Sequence, residues 1–346
     1  MNKIILISCV SKKLPYKTKA KNLYVSPLFK YNLRHAHSLN PDKILILSAK
    51  YGLVDLESEI EPYNKTLNKM RKQEIKEWSE KVINQLKEQT DLQEDEFIFL
   101  AGERYREHLI PHIQNYKVPM KGLSIGYQLK YLKESLEKKE ICEQLHKIFN
   151  NSKRISFPFN DEKIPFNGIY ILFEKGEQAH EGDRIVRIGT HTGENQLRSR
   201  LKQHFINENK DRSIFRKNIG RAILNKNKDD FIKQWEIDLT TREAKDLFSK
   251  EIDFEKQKQI EKLVTKHIQE NFSFIVFGID DKDERLKIES KIISSISLCD
   301  KCGRSVNWLG NYSPKEKIKE SGLWLVNELY KEPFNHQELG EFRKTL

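Results

Sequence analysis

The segment "NGIYILFEKG", residues 167–176, is a run of β-branched and aromatic residues, and "VRIGTHT", residues 186–192, follows it after a short polar stretch. Both segments have the length and composition of β-strands. They precede "LRSRLKQHF", in which Arg200 and His204 are four residues apart. On a helix this spacing puts both side chains on one face, beside an apolar stripe. The sequence therefore predicts a strand pair followed by a helix that presents a guanidinium and an imidazole together.

The chain is long and strongly charged. It has 346 residues, of which 37% are hydrophobic and 33% are charged, and this length predicts two domains. The opening "MNKIILISC" has an apolar run too short for a signal peptide, and no run reaches about eighteen apolar residues, so we expect a cytoplasmic protein without a membrane span. The net charge of +11 favours a nucleic-acid partner, although a general abundance of lysine produces the same balance.

The first 130 residues alternate between strand-like and helix-like segments. The apolar runs "KIILISC", "KILILSAK" and "EFIFLAG" have strand length, and the segment between the second and third has helical spacing at Ile75, Trp78, Val82 and Leu86. This alternation predicts an α/β domain with a parallel, three-layer sheet.

The aperiodic segment "NSKRISFPFNDEKIPF" marks a boundary, because it contains Ser, Asn and two prolines without any hydrophobic period. We therefore expect one domain over residues 1–150 and a second over residues 151–346. The second half begins with the two strands described above and continues with a strand, "FSFIVFGID", and a helix, "DERLKIESKIISSISLC". This order predicts an α+β domain that does not repeat the first half.

Small and polar residues follow each of the three strands of the amino-terminal domain. Parallel strands end at one edge of a sheet, and ligands bind at that edge, so these residues predict a pocket. They are Ser8, Cys9, Ser11, Lys12, Ser48, Lys50, Tyr51, Gly52, Gly102 and Tyr105. The alternative is that the lysines only decorate loops and the glycines only turn the chain. The sequence G-x-x-x-x-G-K-[ST] does not occur in this domain, which disfavours ATP hydrolysis.

The four cysteines are Cys9, Cys142, Cys299 and Cys302. We expect them to be reduced in a cytosolic chain. Cys299 and Cys302 form a C-x-x-C pair, but no second pair completes a structural zinc site, although histidines elsewhere in this half can in principle contribute. The sequence therefore favours thiols without a metal.

An ordered set of motifs resembles the GIY-YIG nuclease superfamily over about residues 165–315. The set is "GIY", then "RIG", then an arginine on a helix, a glutamate on a later helix and a late asparagine. The resemblance implies hydrolysis of phosphodiester bonds, with Tyr170 beside the scissile phosphate to orient or deprotonate water. It implies that Arg200 holds the phosphate and that His204 positions water or phosphate. Arg198 competes with Arg200, and the leucine stripe favours Arg200.

The same resemblance implies a single divalent cation. Glu289, in "RLKIESKIISSIS", matches the helix glutamate that binds Mg²⁺ or Mn²⁺ in the family, and hard cations prefer carboxylate oxygens. Glu284 is the second candidate and is nearer to a charged loop. Asn307, in "SVNWLGN", matches the late asparagine, and Asn311 is a weaker match.

The sequence departs from the family at Arg187, which replaces the tyrosine of "YIG". The second tyrosine therefore cannot act, and we expect Arg187 to add affinity for phosphate. A basic strip suited to binding the DNA backbone is expected downstream. It consists of Arg212, Arg216, Lys217 and Arg221.

The amino-terminal domain resembles an uncharacterised bacterial family over about residues 1–130, through "SCxxKK", "SAKYGL" and "LAGxxY" motifs. It is distantly similar to domains that handle nucleobases. The sequence thus predicts a metal-dependent DNA endonuclease whose amino-terminal domain selects or processes a nucleobase, in restriction or defence against foreign DNA such as that of phage. The alternatives are a DNA-binding regulator whose nuclease site has decayed through Arg187, and an enzyme that processes RNA or tRNA.

Overall fold

The structure, a computed structural model, describes residues 1–299 and 301–346. The chain divides into two compact units, residues 1–136 and residues 137–346. The division falls inside one helix, Ile125–Asn150, and precedes the aperiodic segment that the sequence indicates as the boundary. The physical reason is that apolar residues in the last half of this helix belong to a core of the second unit. They are Ile141, Cys142, Leu145 and Phe149.

The first unit is built on a five-stranded sheet with the order β4-β3-β1-β6-β7, beside a two-stranded ladder of β2 and β5. Short 3₁₀ helices at Leu67–Lys69 and Ile110–His112 complete its connections. Its elements are β1 (Lys3–Ser8), β2 (Thr18–Lys19), α1 (Ala20–Leu23), α2 (Pro27–Ser38), β3 (Lys43–Ser48), β4 (Gly52–Asp55), β5 (Glu59–Ile60), α3 (Lys72–Lys87), β6 (Glu96–Leu100), α4 (Glu103–Arg106), β7 (Asn115–Lys117) and the beginning of α5 (Ile125–Asn150).

The five-stranded sheet is parallel except at one edge. Strands β3, β1, β6 and β7 run parallel, and β1 and β3 are apolar runs buried along most of their length, as parallel strands usually are. The three strands predicted from the sequence, β1, β3 and β6, are parallel as expected, and β4 is an additional strand that the sequence did not predict. After β3 the chain turns back at once, so that β4 pairs antiparallel with it and Gly52 lies opposite Ser48.

The helix predicted between the second and third strands is confirmed as α3. It buries Ile75, Trp78, Val82 and Leu86, which follow the helical period along one face. The indole nitrogen of Trp78 donates a hydrogen bond of 2.8 Å to the carbonyl of Ser48. This bond fixes α3 against the carboxyl end of β3.

The second unit is built on a four-stranded sheet with the order β10-β9-β11-β8, in which each neighbouring pair is antiparallel. Short 3₁₀ helices lie at Asp161–Lys163, Ser249–Glu251 and Leu309–Tyr312. Its elements, after α5, are β8 (Ile155–Ser156), β9 (Gly168–Ala179), β10 (Gly182–Gly189), α6 (Leu197–Phe205), α7 (Ile214–Lys226), α8 (Ile232–Glu236), α9 (Arg242–Phe248), α10 (Phe254–Asn271), β11 (Phe272–Gly278), α11 (Lys282–Ser297), α12 (Glu316–Ser321) and α13 (His336–Arg343).

Strand β9 lies in the interior of this sheet and faces two cores. Tyr170 and Leu172 belong to the core that α6, α7 and α10 share. Ile169, Ile171 and Phe173 belong to the opposite core, which α5, α11 and α13 share. The alternation follows from the two-residue period of a strand, and it directs Tyr170 toward the helix that carries Arg200 and His204. Across the described residues, 1–299 and 301–346, none of the helices is both long and apolar enough to cross a membrane.

Candidate active site

A buried tyrosine–histidine pair joins β9 to α6. The hydroxyl of Tyr170 lies 2.8 Å from Nε2 of His204, and both side chains have no solvent exposure. Nδ1 of His204 lies 2.7 Å from Oγ of Ser213, the residue that caps the amino terminus of α7. The phenol, the imidazole and the serine hydroxyl therefore form one hydrogen-bonded chain through the core.

Two glycines of the motifs make room for this arrangement. A Cβ on Gly189 would lie 2.1 Å from the Tyr170 hydroxyl oxygen, because the two residues pair across β9 and β10. A Cβ on Gly168 would lie 2.1 Å from the carbonyl oxygen of Phe277 on β11, and Gly168 has a φ of +158°. A side chain at Gly189, in "RIG", would therefore overlap the tyrosine of "GIY". A side chain at Gly168, in "GIY", would overlap the backbone of β11.

Arg187 completes the contacts of the Tyr170 hydroxyl. Its Nε donates to that oxygen at 3.4 Å, its Nη1 donates to the carbonyl of Trp324, and its guanidinium lies 5.1 Å from the ring centroid of Phe215. The register of β9 and β10 shifts between Ile185 and Arg187, which is typical of a β-bulge and re-aims the side chain. The residue that replaces the tyrosine of "YIG" therefore lies against the first tyrosine.

Burial keeps His204 neutral. Burial first, and then the positive charges of Arg200, Arg187 and Arg216, hold the pKa of His204 well below its usual value of 6.5. Because Arg187 donates to the Tyr170 oxygen, we assign the Tyr170 proton to the bond with Nε2 and the imidazole proton to Nδ1. In this state Nε2 of His204 can accept the proton of Tyr170.

Helix α6 carries two arginines that the structure separates. Arg200 is half-buried on the side of His204, and its Nη1 donates to Oε1 of Gln203 at 2.9 Å and to the carbonyl of Arg212 at 3.0 Å. Nε of Arg198 donates to the carbonyl of Ile164. The charge of Arg200, unlike that of Arg198, acts on His204. That Arg200 rather than Arg198 binds the phosphate stays a prediction.

Glu289 lies on α11 and reaches the end of β10. Its half-buried carboxylate lies near Thr190, directly after Gly189, whose backbone N–H favours the charged form of the carboxylate. Burial raises the pKa of Glu289 to about 7, and the charges of Arg187 and Arg200 oppose this rise. The carboxylate therefore lies within the field of both arginines.

A segment that sequence analysis did not single out borders this carboxylate. The backbone N–H of Trp324 donates to the carbonyl of Val186 on β10, and four residues later the carbonyl of Glu328 accepts from Ser294 on α11. Glu328 adds a negative charge near Glu289, bonds through Oε2 to Ser290, and has a φ of +61°. That conformation is uncommon for a residue other than glycine and marks constrained backbone near functional sites. The segment from Trp324 to Glu328 lies more than thirty residues after Glu289, so motif spacing in the sequence does not indicate that it borders the site.

Asn307 lies elsewhere in the unit. It is exposed and lines a cavity of about 580 Å³ together with Glu174, Glu177 and His267. The wall of that cavity is structural, because the carboxylate of Glu174 accepts hydrogen bonds from the indoles of Trp308 and Trp324. A different asparagine, Asn327, lies on the segment that borders the Glu289 carboxylate. Asn327 is exposed and directly precedes Glu328.

The expected basic strip is mostly internal. Arg212 is exposed, but Arg216 is fully buried, with Nη2 2.6 Å from Oε2 of Glu261. Arg221 forms two hydrogen bonds of 2.5 Å with the carboxylate of Glu236, and Lys217 donates to the carbonyl of Glu236 at 3.0 Å. The expectation that these four residues form one exposed surface is corrected for Arg216, Lys217 and Arg221, because α7 packs its basic face against the acidic groups of neighbouring helices.

In the first unit, the carboxyl ends of β1 and β6 open onto a cavity of about 580 Å³. Parallel pairing brings these two ends together. Six of the residues predicted to form a pocket line this cavity. They are Ser8, Cys9, Ser11, Lys12, Gly102 and Tyr105.

The other four predicted pocket residues follow β3 and lie outside this lining. Lys50 is exposed, with Nζ 4.8 Å from the ring centroid of Tyr51, and Tyr51 donates to the carbonyl of Glu61. Ser48 is buried against the hydroxyl of Tyr63 at 2.8 Å, and Gly52 begins β4. The antiparallel turn that follows β3, which the sequence did not predict, carries these residues away from the cavity.

The cavity also contains a polar group that sequence analysis missed. Asn32 lines it from α2 and is 3% exposed, and its Oδ1 has no hydrogen-bond partner among the described residues. The thiol of Cys9 lies 3.2 Å from the hydroxyl of Tyr105. Because a buried polar atom without a partner is costly, Asn32 is placed to bond a ligand.

The chemistry of the second unit fits one class of substrate. The charges of Arg187 and Arg200 act on both His204 and Glu289, a pattern suited to a negatively charged substrate. This arrangement defines a nuclease-type α+β domain. Residues 131–346, more than half of the chain, match the family described as GIY-YIG domain, and the chain belongs to that family.

Membership indicates nuclease activity, a nucleic-acid substrate and the use of divalent metal ions, as is general in GIY-YIG nucleases. Residues 4–134 match a family of unknown function, DUF6884. The predicted fusion of a GIY-YIG domain to an uncharacterised domain is thus confirmed. No curated protein and no solved structure matches the chain.

Proposed function

We propose that this protein is a metal-dependent DNA endonuclease in which the second unit cuts and the first unit selects or processes a nucleobase. The observation that carries the proposal is the hydrogen-bonded chain from Arg187 through Tyr170 and His204, flanked by half-buried Arg200 and Glu289. The net charge of +11 favours a polyanionic substrate. Such a division of labour suits restriction of foreign DNA in the cytoplasm, including phage DNA.

In this proposal Arg200 binds the scissile phosphate. Its guanidinium donates to two neutral oxygens, Gln203 Oε1 and the Arg212 carbonyl, rather than to a carboxylate. A guanidinium fork can make two parallel hydrogen bonds to a phosphate. Arg212, exposed next to this contact, extends the positive surface.

Glu289 is the residue that would hold the divalent cation. Its donor set fits a hard cation, because the carboxylate is half-buried and its raised pKa reflects an incompletely compensated negative charge. A bound Mg²⁺ or Mn²⁺ would supply Lewis-acid polarisation of the phosphate. Glu328 holds the edge of the same region through its bond to Ser290.

Tyr170 and His204 are buried below Arg200 and Glu289 and would handle protons. Neutral His204 holds or accepts the Tyr170 proton at Nε2, and Arg187 stabilises the phenolate oxygen that remains. The attacking water would pass its proton to the Tyr170 oxygen as the Tyr170 proton moves to Nε2, so that the phenol ends neutral and the imidazole carries the added proton. Ser213 fixes the imidazole from its other nitrogen.

The cavity of the first unit supports the second half of the proposal. Its volume of about 580 Å³ lies within the range of about 300–1,000 Å³ of small-molecule sites. The buried amide of Asn32 and the hydroxyl of Tyr105 offer hydrogen-bonding groups suited to the edge of a nucleobase.

Cleavage of supercoiled plasmid tests the proposal. The full chain should nick or linearise DNA with Mg²⁺ or Mn²⁺ and should be inactive with chelator. A structured RNA of equal nucleotide concentration should be cut more slowly. Tight DNA binding without metal-dependent cleavage would instead support a decayed nuclease that acts as a regulator, and preferential cleavage of RNA would support an RNA-processing enzyme.

A further inference from the structure

A cluster of thiols and imidazoles lies in the second unit, apart from the residues assigned to cleavage. One ligand atom from each of Cys142, His146, His180 and Cys302 lies within 4.8 Å of every other. The sulfurs of Cys142 and Cys302 are 3.2 Å apart. Cys299 belongs to the same cluster, because its Sγ is 3.4 Å from Nε2 of His180. Three cysteines and two histidines thus converge on one point.

The cluster gathers residues from three separate parts of the chain. Cys142 lies on α5, His180 lies between β9 and β10, and Cys299 and Cys302 follow α11. The sequence shows only the last two as a motif. No disulfide links the cysteines, and the separation of the Cys142 and Cys302 sulfurs is well beyond the bonded distance of about 2.05 Å.

His180 is held in an unusual backbone conformation. Ala179 pairs with Gly182 across the hairpin, so His180 and Glu181 form a two-residue turn, with φ values of +50° and +62°. Such turns favour Asn, Asp and Gly, because both residues need positive φ. A histidine at this position indicates that its side chain has a use that offsets the backbone cost.

The two histidines differ in what their nitrogens contact. Nε2 of His180 lies 3.2 Å from Sγ of Cys302 and 3.4 Å from Sγ of Cys299. Nε2 of His146 instead accepts from the backbone N–H of Ile185 at 3.3 Å, so its Nδ1 carries the proton and donates to the carbonyl of Cys142 at 3.0 Å. Both nitrogens of His146 are engaged with backbone, whereas Nε2 of His180 faces sulfur only.

We infer that Cys142, His180, Cys299 and Cys302 bind one structural zinc ion, with His146 as a neighbouring side chain that shapes the site. Three thiolates and one imidazole form a common closed zinc site. A tetrahedral ion about 2.3 Å from sulfur and about 2.0–2.1 Å from nitrogen sets ligand atoms about 3.5–3.8 Å apart. The cluster distances of 3.2 and 3.4 Å need an expansion of only a few tenths of an ångström.

The surroundings favour a structural role for this ion. Cys142 and Cys302 are buried among the apolar residues of the core shared by α5, α11 and α13. The backbone N–H of Lys301 points at Sγ of Cys299, at 3.4 Å, as expected where a hydrogen bond stabilises a thiolate ligand. Glu289 is not a member of the cluster, so the zinc site and the cleavage site are separate.

The metal content of the purified full chain tests the inference. Elemental analysis after gel filtration should find one zinc per chain, and the Glu289→Gln variant should keep it. Replacement by Co²⁺ should give the intense visible bands of tetrahedral thiolate coordination. A wild-type protein without zinc that also fails to bind Co²⁺, or a Cys142–Cys302 disulfide found by mass spectrometry of the native protein, would overturn the inference.

Matched variants identify the ligands. Cys302→Ser and His180→Asn should each weaken zinc affinity by more than the 10–100-fold typical of outer contacts, and Asn tolerates the positive φ of residue 180. Cys9→Ser, in the first unit, and His146→Gln should retain one zinc. Unchanged affinity in both ligand variants would overturn the assignment. If a ligand variant does not fold, the stoichiometry and cobalt spectrum of the wild type still decide between a zinc site and free thiols.

Discussion

Helices α6 and α7 are neighbours in the sequence and both carry several basic residues, yet the structure uses their charges differently. Arg200 on α6 is half-buried and contacts neutral oxygens. Arg216 on α7 is fully buried and contacts the carboxylate of Glu261. A positive charge that already has a buried acidic partner stabilises the fold, because removing either partner leaves an uncompensated charge. A charge without such a partner is available to a phosphate. The following predictions test this division.

The largest effect on cleavage is expected at Glu289, the residue proposed to hold the divalent cation. Glu289→Gln should lower metal-dependent cleavage by at least about 10³-fold, the upper range for one preorganised electrostatic group. DNA affinity should be nearly unchanged, because basic residues dominate it. Plasmid cleavage and filter binding measure the two effects, with Glu284→Gln as control. Wild-type cleavage by Glu289→Gln would remove Glu289 from the site.

The second effect concerns stability rather than cleavage. Arg216→Met should lower the free energy of unfolding by about 3–5 kcal/mol, because Glu261 would be left buried without a partner. Urea denaturation measures it, and Arg212→Gln, at an exposed position, should change the free energy by less than about 0.5 kcal/mol. If Arg216→Met and Arg212→Gln changed the free energy of unfolding equally, the buried ion pair of Arg216 would not stabilise the fold.

The third effect tests the unpaired arginine directly. Arg200→Lys keeps the charge but loses the planar fork, so kcat should fall about 10²-fold, similar to the loss of one oriented donor. The melting temperature should remain close to that of the wild type. Arg198→Lys is the control, because Arg198 lies on the same helix as Arg200 but donates to the carbonyl of Ile164. The opposite pattern would show that Arg198, rather than Arg200, binds the phosphate.

A smaller effect should appear in the pH dependence of stability. The pKa of His204 is well below 6.5 in the folded chain, so below pH 6.5 the unfolded chain binds a proton that the folded chain does not. The contribution of His204 to the free energy of unfolding should therefore fall as pH decreases through 6.5, while Glu289, whose pKa is raised to about 7, contributes with the opposite sign in both proteins. His204→Gln should flatten this part of the curve, measured by urea denaturation between pH 5 and about pH 8. An identical slope in the variant would mean that His204 is protonated in the fold.

The smallest effect is expected in the first unit. Substitutions there should change which DNA is cut preferentially, while the maximal rate of cleavage stays nearly constant. Asn32→Leu fills the cavity with an apolar group and removes its unpartnered oxygen, so the ranking of normal, modified and abasic DNA should change severalfold, as expected for one lost hydrogen bond. Lys50→Ala, outside the cavity, should keep the wild-type ranking. If Asn32→Leu also keeps it, the first unit does not select the substrate.

Local patterns account for what the sequence predicted well. The strand pair around Tyr170, the helix with Arg200 and His204 at one face, and α3 each depend on short-range periods. The register of β9 and β10 is also implicit in the motifs, because Gly189 is needed where the tyrosine hydroxyl lies. These features need no knowledge of distant contacts.

Features that depend on contacts between distant segments were not predictable. Spacing gave no reason to join Cys142 to Cys302, or Trp324 to Val186, since these pairs form only when α5, α11 and the last segment pack on the sheet. The same limit explains Asn307, which has the expected residue type but lies at another cavity. It also explains Lys217, whose basic side chain is indistinguishable in sequence from one that faces solvent.

The anchor of Arg187 on the carbonyl of Trp324 has a consequence for protein synthesis. Arg187 is translated 137 residues before Trp324, and a growing chain that already contains Tyr170, Arg200 and Glu289 still lacks this anchor. Domains generally fold as units during synthesis, so the contact between Arg187 and Trp324 forms only after residue 324 has emerged. An unfinished chain that ends before Trp324 therefore carries Tyr170, Arg200 and Glu289 without the contact that anchors Arg187 beside the Tyr170 hydroxyl.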